Sequence, residues 1–403
     1  MKILYHHRTQ AEDGQAVHIR ALIGAFEALG HDVHEVGLVK QAAGEASKEA
    51  ATGASSGGDG TSRKASPWAF VTKLPRFARE LAEYGYNGLA RQRLLREVAH
   101  VEPDFLYERY AFGNAAGVMV ARKRRLPLVL EVNSPLVEEL QRTRGLSFPG
   151  LADRLERHIY TSADRVCVVT GVLRDMLVEM GVERERIFVT PNGVHLEAYD
   201  YPDRELARRN ARTDLGLSRE PRDGERVLGF VGYYRPWHRL ELAVAALADP
   251  ALKDTHLVLI GEGPARDELE AAAREHGVHA RVHFPGRRPH AAIPALLPAF
   301  DAALLPAINP YASPLKLHEY MAAELAVVAP DQPNLREVLT DGENALLVPA
   351  NDGEALLGAM VRLASDPEEC ARLGAAARRT IEEDKLTWTA NAERVLAAVE
   401  EVR

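Results

Sequence analysis

Cysteine is scarce: 403 residues carry two, Cys167 and Cys370. They lie far apart, one inside an apolar strand-like run and one in a helical stretch. Neither a disulfide framework nor a metal-ligand spacing is evident, which points to a reducing compartment, the cytoplasm. Long apolar runs are missing too. No stretch reaches the roughly 18 apolar residues of a membrane-spanning helix, and the opening MKILYHH lacks the apolar core of a signal peptide. Strong charge of either sign is absent. A net charge of −8 gives no general case for nucleic acid as a partner. What is present is globular material, 46% hydrophobic and 27% charged, in a length that favours two domains or more.

The chain opens with an apolar strand, Lys2–His6, a turn with Gly14 and a helix over Ala16–Leu29. Gly30 ends that helix and Val33–Val39 gives the next strand. Strand, glycine loop, helix, strand begins a doubly wound α/β domain. Residues Gln41–Ser66 are mostly Ala, Gly, Ser and charges, cannot bury a core, and read as a flexible loop. Trp68–His100 reads as helical and basic, with its aromatics facing the core. Alternation then resumes through strands at Phe105–Tyr107, Leu128–Val132, Arg165–Thr170 and Ile187–Thr190. Past the polar stretch Tyr201–Glu225, Val227–Val231 and Gly232 restart the same scheme, the sequence argument for a second, similar domain. Helices are expected near Gly353–Ala364, at Pro367–Glu383 and from Trp388.

The most informative stretch is PAINPYASPLKLHEYMAAELAVVAP, Pro306–Pro330. An apolar run ending in proline leads to a loop of Asn, Pro, Tyr, Ala and Ser, then a helix over Leu315–Ala323 and a second apolar strand. Ligands of open α/β sheets bind at strand C-terminal ends, where this loop must lie. A helix N-terminus at Ser313, Pro314 and Leu315 with Lys316 beside it is a ready phosphate site. Glu319, one turn on, can accept hydrogen bonds from ribose hydroxyls. A plain surface helix would explain the Lys and the Glu but not a proline-bounded polar loop between two apolar strands.

Here the chain resembles glycosyltransferase family 4, retaining enzymes of the GT-B fold. That family marks its donor site with a Glu, seven residues and a second Glu. Glu319 matches the second; the first falls at Tyr311, which leaves the transferred sugar undetermined, and Glu324 stands where a Gly is usual. The loop Gly232–Arg239 matches the family's diphosphate loop, with Arg235 as its basic candidate and His238 at the usual Lys position. Leaving-group stabilisation needs fixed positive charge; Arg always carries it, whereas His does so only if its neighbours raise its pKa.

The resemblance implies two Rossmann-like domains facing across a cleft: residues 1–200 for the acceptor, 201–387 for the nucleotide sugar, and 388–403 as a helix packing back on the first. Arg235 and Lys316 are the expected catalytic cations. Gly14, Asn133, Gly232, His238, Gly261, Gly263, Arg287, Ser313, Pro314, Leu315 and Glu319 are expected around the donor. Gln15 and His18 are nearest the acceptor, although a plain place on the helix surface is the preferred reading of His18. Asn133 replaces a His that touches the donor sugar in the family; an amide positions but does no acid–base work. No cofactor is expected beyond the nucleotide diphosphosugar donor, and no metal.

The expected reaction is metal-independent sugar transfer to a hydroxyl with anomeric configuration retained. A GT-B-fold sugar-nucleotide epimerase and a non-catalytic nucleotide-sugar-binding protein stay open beside it. The basic segment Trp68–Arg96 and the cluster Arg122-Lys123-Arg124-Arg125 leave peripheral contact with anionic lipid open, with solvated helix faces the preferred reading. Nothing in the sequence fixes an oligomeric state.

Overall fold

In a computed structural model, residues 1–9, 14–37, 75–222 and 224–403 are described. The expected loop at 41–66 and the aromatics Trp68 and Phe70 lie outside them. The chain divides into two compact units. The first comprises Met1–Val168, Arg174–Phe188 and Ala392–Arg403; the second comprises Val169–Leu173 and Val189–Asn391.

The first unit is built on β1 (Lys2–His6), α1 (Gly14–Ala28), β2 (Asp32–Val36), α2 (Arg76–Val101), β3 (Phe105–Arg109), α3 (Ala116–Arg124), β4 (Leu128–Val132), α4 (Leu136–Thr143), α5 (Pro149–Ser162), β5 (Arg165–Val168), α6 (Gly171–Glu179) and β6 (Ile187–Val189). Its six-stranded sheet has the order β2-β1-β3-β4-β5-β6. β3 (FLYER) and β4 (LVLEV) are buried at every position, as parallel strands covered on both faces must be. Their two carboxylates therefore need partners inside the protein. The strand order reverses between β1 and β3, so a crevice opens beyond the C-terminal ends of these strands.

The second unit follows with α7 (Arg204–Asp214), β7 (Arg226–Val231), α8 (Leu240–Ala246), β8 (Thr255–Ile260), α9 (Arg266–Glu275), β9 (Val282–Gly286), α10 (Ile293–Leu296), β10 (Ala302–Leu304), α11 (Leu315–Ala322), β11 (Ala326–Pro330), β12 (Leu346–Val348), α12 (Gly353–Ser365), α13 (Pro367–Glu383) and α14 (Trp388–Glu400), the last running on into the first unit's residues. The sheet order is β12-β11-β10-β7-β8-β9, with every neighbouring pair parallel. Its reversal lies between β7 and β10. One core packs Tyr320, Met321, Ala377 and Ile381 onto one sheet face; the other packs Leu240, Val244, Leu269, Met360 and Leu363 onto the opposite face. This is the doubly wound pattern that the repeated strand–glycine–helix signal predicts.

Some sequence expectations need correction. α4, α9 and the one-turn α10 are additional helices. α4 and α9 present few apolar residues to the core, Val137 in one and Leu269 with Ala273 in the other, so their periodicity is faint, and α10 is too short to show one. The aromatics of α2 do not all face inward: Tyr86 is buried, but Phe77 is exposed with Leu81 and Leu89. No described helix is long and apolar enough to cross a membrane.

Candidate functional site

In the second unit the loops after β7 and β8 are locked together by backbone. Gly232 N–H donates to the Ile260 carbonyl (2.9 Å), Gly261 N–H to the Gly286 carbonyl (3.1 Å) and Tyr234 N–H to the Glu262 carbonyl (2.8 Å). Gly261 and Gly263 are required by this packing. Both hold positive φ (146° and 157°), and a Cβ on Gly261 would meet the Gly232 carbonyl oxygen at 1.9 Å. Gly232 itself (φ 143°) faces Lys316, whose Nζ would lie 2.6 Å from an added Cβ. The glycine leaves the ammonium open backbone to lie against.

Lys316 is partly exposed along its length, and its ammonium turns inward, with Nζ 3.9 Å from the centroid of the Phe230 ring. No carboxylate pairs with it among the described residues. Burial lowers its pKa to about 7, against an opposing pull from the Glu319 charge. The same ring takes His238 edge-on at 5.2 Å. His238 answers the question its sequence position raised. Burial first, then the Lys316 charge, lower its pKa to about 3. Its Nδ1 accepts from Arg235 N–H (3.4 Å) and the ring also bonds the Tyr233 carbonyl. It is a neutral strut of its own loop, and the buried cation here is Lys316.

Arg235 is not gathered in with them. Its guanidinium stacks over Tyr233 (4.4 Å) and Trp237 (5.2 Å), all on the surface. Arg287 is also exposed, 3.8 Å from Glu262.

The loop before α11 is fixed from below. Asn192 N–H donates to Ser313 Oγ (3.1 Å) and its side-chain amide donates to the Ser313 carbonyl (2.5 Å). Pro314 caps the helix, its carbonyl accepting from Leu317 N–H (3.0 Å), and Leu315 begins the first turn. Tyr311 is buried; its hydroxyl accepts from Asn309 (3.2 Å) and its carbonyl from Thr170 Oγ1 (2.9 Å). An aromatic ring thus packs into the loop where the resembled family carries its first acid.

Glu319 is buried, and His290 Nε2 meets its Oε1 at 2.5 Å. Tyr199 also donates to it, and burial together with the Glu319 charge pushes the Tyr199 phenol up. Neither His290 nor Tyr199 was singled out from sequence, although His290 sits just past β9, at a strand's C-terminal end. Glu324, unexplained at a glycine position, has a plain account. It ends α11 in the left-handed region (φ 56°), Leu325 N–H reaches back to the Tyr320 carbonyl (3.0 Å), and its carboxylate pairs with Arg204 at 2.5 Å. This is the helix-ending geometry that favours glycine.

In the first unit, Gly14 opens α1 and Gln15 is exposed, accepting from Thr9 Oγ1 (3.3 Å). His18 departs from its expected surface place. It is buried, its Nε2 3.1 Å from Glu131 Oε1. Glu131, at the end of β4, draws it in. Arg109 and Asn133 bond the same oxygen, and the hydroxyls of Tyr107 (2.9 Å) and Tyr5 (3.2 Å) donate to Oε2. Burial alone would raise the Glu131 pKa. Arg109, His18 and the hydrogen bonds outweigh it and hold the carboxyl well below the usual range, so Glu131 is ionised.

The fold places the chain in a known class. Anabaena HepE, solved in complex with UDP, superposes with a TM-score of 0.72 at 17% identity, over 100% of both chains. Sucrose-phosphate synthase of Thermosynechococcus elongatus gives 0.73 at 19%, over 100% of this chain and 99% of the other. The architecture, two Rossmann-like α/β units, is that of the GT-B glycosyltransferases. Residues 218–380 match the family Glycosyl transferases group 1, and residues 13–198 match Glycosyltransferase Family 4. D-inositol 3-phosphate glycosyltransferase of Thermomonospora curvata is 30% identical over 328 residues, 77% of this chain and 74% of that enzyme. 2-deoxystreptamine glucosyltransferase of Streptomyces kanamyceticus is 31% identical over 169 residues, 39% of this chain, which spans 42% of that enzyme's length. The chain belongs to glycosyltransferase family 4 and is an enzyme of that kind.

Proposed function

We propose that this enzyme transfers a sugar from a nucleotide diphosphosugar to a hydroxyl of a cyclic polyol, with anomeric configuration retained and without a metal. The carrying observation is the pairing, on one short helix at the sheet's reversal point, of the inward Lys316 ammonium and the buried Glu319 carboxylate. Lys316, with the N–H groups of the Gly232 loop and of the α11 N-terminus, would meet the charge that develops on the departing diphosphate. Glu319 would take the ribose hydroxyls, His290 and Tyr199 holding it in place. The acceptor attacks from the face the diphosphate leaves, and the departing phosphate oxygen takes its proton. The first unit would hold the acceptor. Support for the acceptor class comes from relatives named for D-inositol 3-phosphate and for 2-deoxystreptamine, both six-membered cyclitol rings. UDP is the first nucleotide to try, because HepE was solved with it.

The test is nucleotide release from UDP-glucose with and without each cyclitol, followed by NMR of the product's anomeric proton. Acceptor-dependent release and an axial new linkage support the reading. An isomerised donor without acceptor would indicate an epimerase instead. Tight donor binding without any turnover or hydrolysis would indicate a binding protein. Within the proposed reaction, Lys316→Ala should lower kcat more than it raises KM; an unchanged kcat would remove Lys316 from the chemical step.

A further inference from the structure

We propose that the first unit carries a second ligand site, at the end of its sheet away from the crevice, for a phosphate group borne on a small hydroxylated body such as a glycerol or sugar phosphate.

The site is a cavity of about 470 Å³, within the range that small-molecule ligands occupy. Asp104, Pro127 and Asp164 line it and immediately precede β3, β4 and β5. The crevice lies at the other ends of those strands, roughly 16 Å away for a five-residue strand, so one small ligand cannot serve both places.

The charge on its wall is specific. α3 ends in Arg122, Lys123 and Arg124, and Arg125 follows in the left-handed region (φ 55°). None of these four consecutive cations pairs with a carboxylate among the described residues, in a chain whose net charge is −8. A helix C-terminus favours cations by itself, which accounts for Lys123 and Arg124. It does not account for Arg122 and Arg125, which line the cavity. Arg122 donates to the neutral Ser162 Oγ (2.8 Å), and the guanidinium of Arg125 makes no hydrogen bond among the described residues. The Ala121 carbonyl at the helix end is already taken by the N–H groups of Arg125 and Leu126. Two unneutralised guanidiniums in one wall suit phosphate, whose oxygens match their forked donors.

The same wall holds carboxylates, and these select the rest of the ligand. Asp104 is occupied by Lys2 N–H (2.8 Å) and Arg403 (2.8 Å). Asp164 accepts from Leu128 N–H (2.8 Å) through Oδ2, and its Oδ1 makes no hydrogen bond among the described residues. A carboxylate only accepts, so Asp164 repels a bare anion and suits a hydroxyl. Leu126, Pro127 and Val402 offer apolar surface to a carbon skeleton.

A free polyol phosphate and the glycerophosphate headgroup of a lipid share that chemistry, and two arms separate them. In the first, the full chain is titrated calorimetrically with inorganic phosphate, glycerol 3-phosphate and glucose 6-phosphate. In the second, it is floated with phosphatidylglycerol vesicles and with neutral phosphatidylcholine vesicles. The polyol phosphates should bind saturably and more tightly than inorganic phosphate, and glycerol and glucose should not bind. Arg122→Gln with Arg125→Gln should weaken them about tenfold or more. Lys123→Gln with Arg124→Gln, an equal loss of charge outside the cavity, should cost much less, and less again at higher salt. Asp164→Asn should weaken the polyol phosphates but not inorganic phosphate, and Lys316→Ala should change neither. The substituted arginines are exposed, so an unchanged folding transition is the check on each variant. Binding to the anionic vesicles alone, lost in the Arg122/Arg125 variant, would assign the phosphate to a lipid headgroup. Equal losses in the two double variants would reduce the cluster to diffuse surface charge and overturn the inference. Binding that follows Lys316 rather than Arg122 and Arg125, or no binding in either arm, would overturn it too, and none of these outcomes touches the proposed sugar transfer.

Discussion

The ammonium of Lys316 lies 3.9 Å from the centre of the Phe230 ring, with no paired carboxylate among the described residues. A cation held on an aromatic face beside a glycine is compensated by that ring's quadrupole, and burial lowers its pKa to about 7. A bound diphosphate would favour the charged form and raise that pKa. Between the free and bound values, binding must therefore take up a proton, and affinity must fall as pH rises through that window. At pH 8, where the UDP phosphates are already fully ionised, calorimetry in buffers of different ionisation enthalpy should show uptake approaching one proton. Lys316→Ala should abolish it. Equal uptake by both proteins would assign the proton to another group.

Gly261→Ala tests whether the two loops act as one platform. The new methyl would meet backbone, not a side chain that can turn aside, and the residue holds φ 146°. The combined overpacking and backbone cost is about 2–4 kcal/mol. A calorimetric scan should show a lowered transition and UDP binding should weaken as Gly232 shifts. A wild-type scan with wild-type affinity would mean the loops are softer than their hydrogen bonds imply.

Much of this site could be read from sequence, and the limits have physical causes. Lys316 and Glu319 were legible because strand, proline-bounded loop and helix are local signals, and strand ends place them. His18 was not. A histidine on a helix reads as polar and outward, and what buries it is Glu131, supplied by another strand. Arg235 was given a phosphate role as the loop's basic candidate, yet Tyr233 and Trp237, its own neighbours, hold it on the surface. The neutrality of His238 depends on burial and on Lys316, neither visible in its own loop. The doubly wound class of both units follows from the alternation of strands and helices, whereas α9, with ten residues and two of them buried, shows little of the pattern that marks a helix.

Glu324 offers a stability test in which two effects have opposite signs. Glycine should relieve about 1 kcal/mol of left-handed backbone cost, while losing the partly exposed pair with Arg204 costs about 0–1 kcal/mol. In an Arg204→Ala background only the first remains, so Glu324→Gly should raise the denaturation midpoint there. Glu324→Ala, which keeps the strain, should not. Destabilisation by glycine in that background would contradict the helix-end account.

The central claim is that Glu319 is the nucleotide-sugar carboxylate of this fold, and calorimetric titration of UDP-glucose into wild type and Glu319→Ala tests it most directly. A panel of GDP-, ADP- and dTDP-glucose run alongside identifies the preferred base. Losing hydrogen bonds to a charged acceptor is worth about 1.5–3 kcal/mol, or roughly 10- to 100-fold in affinity. The account predicts tight binding by the wild type and that loss in a variant whose folding transition is retained. Undiminished affinity in a folded Glu319→Ala protein would contradict it.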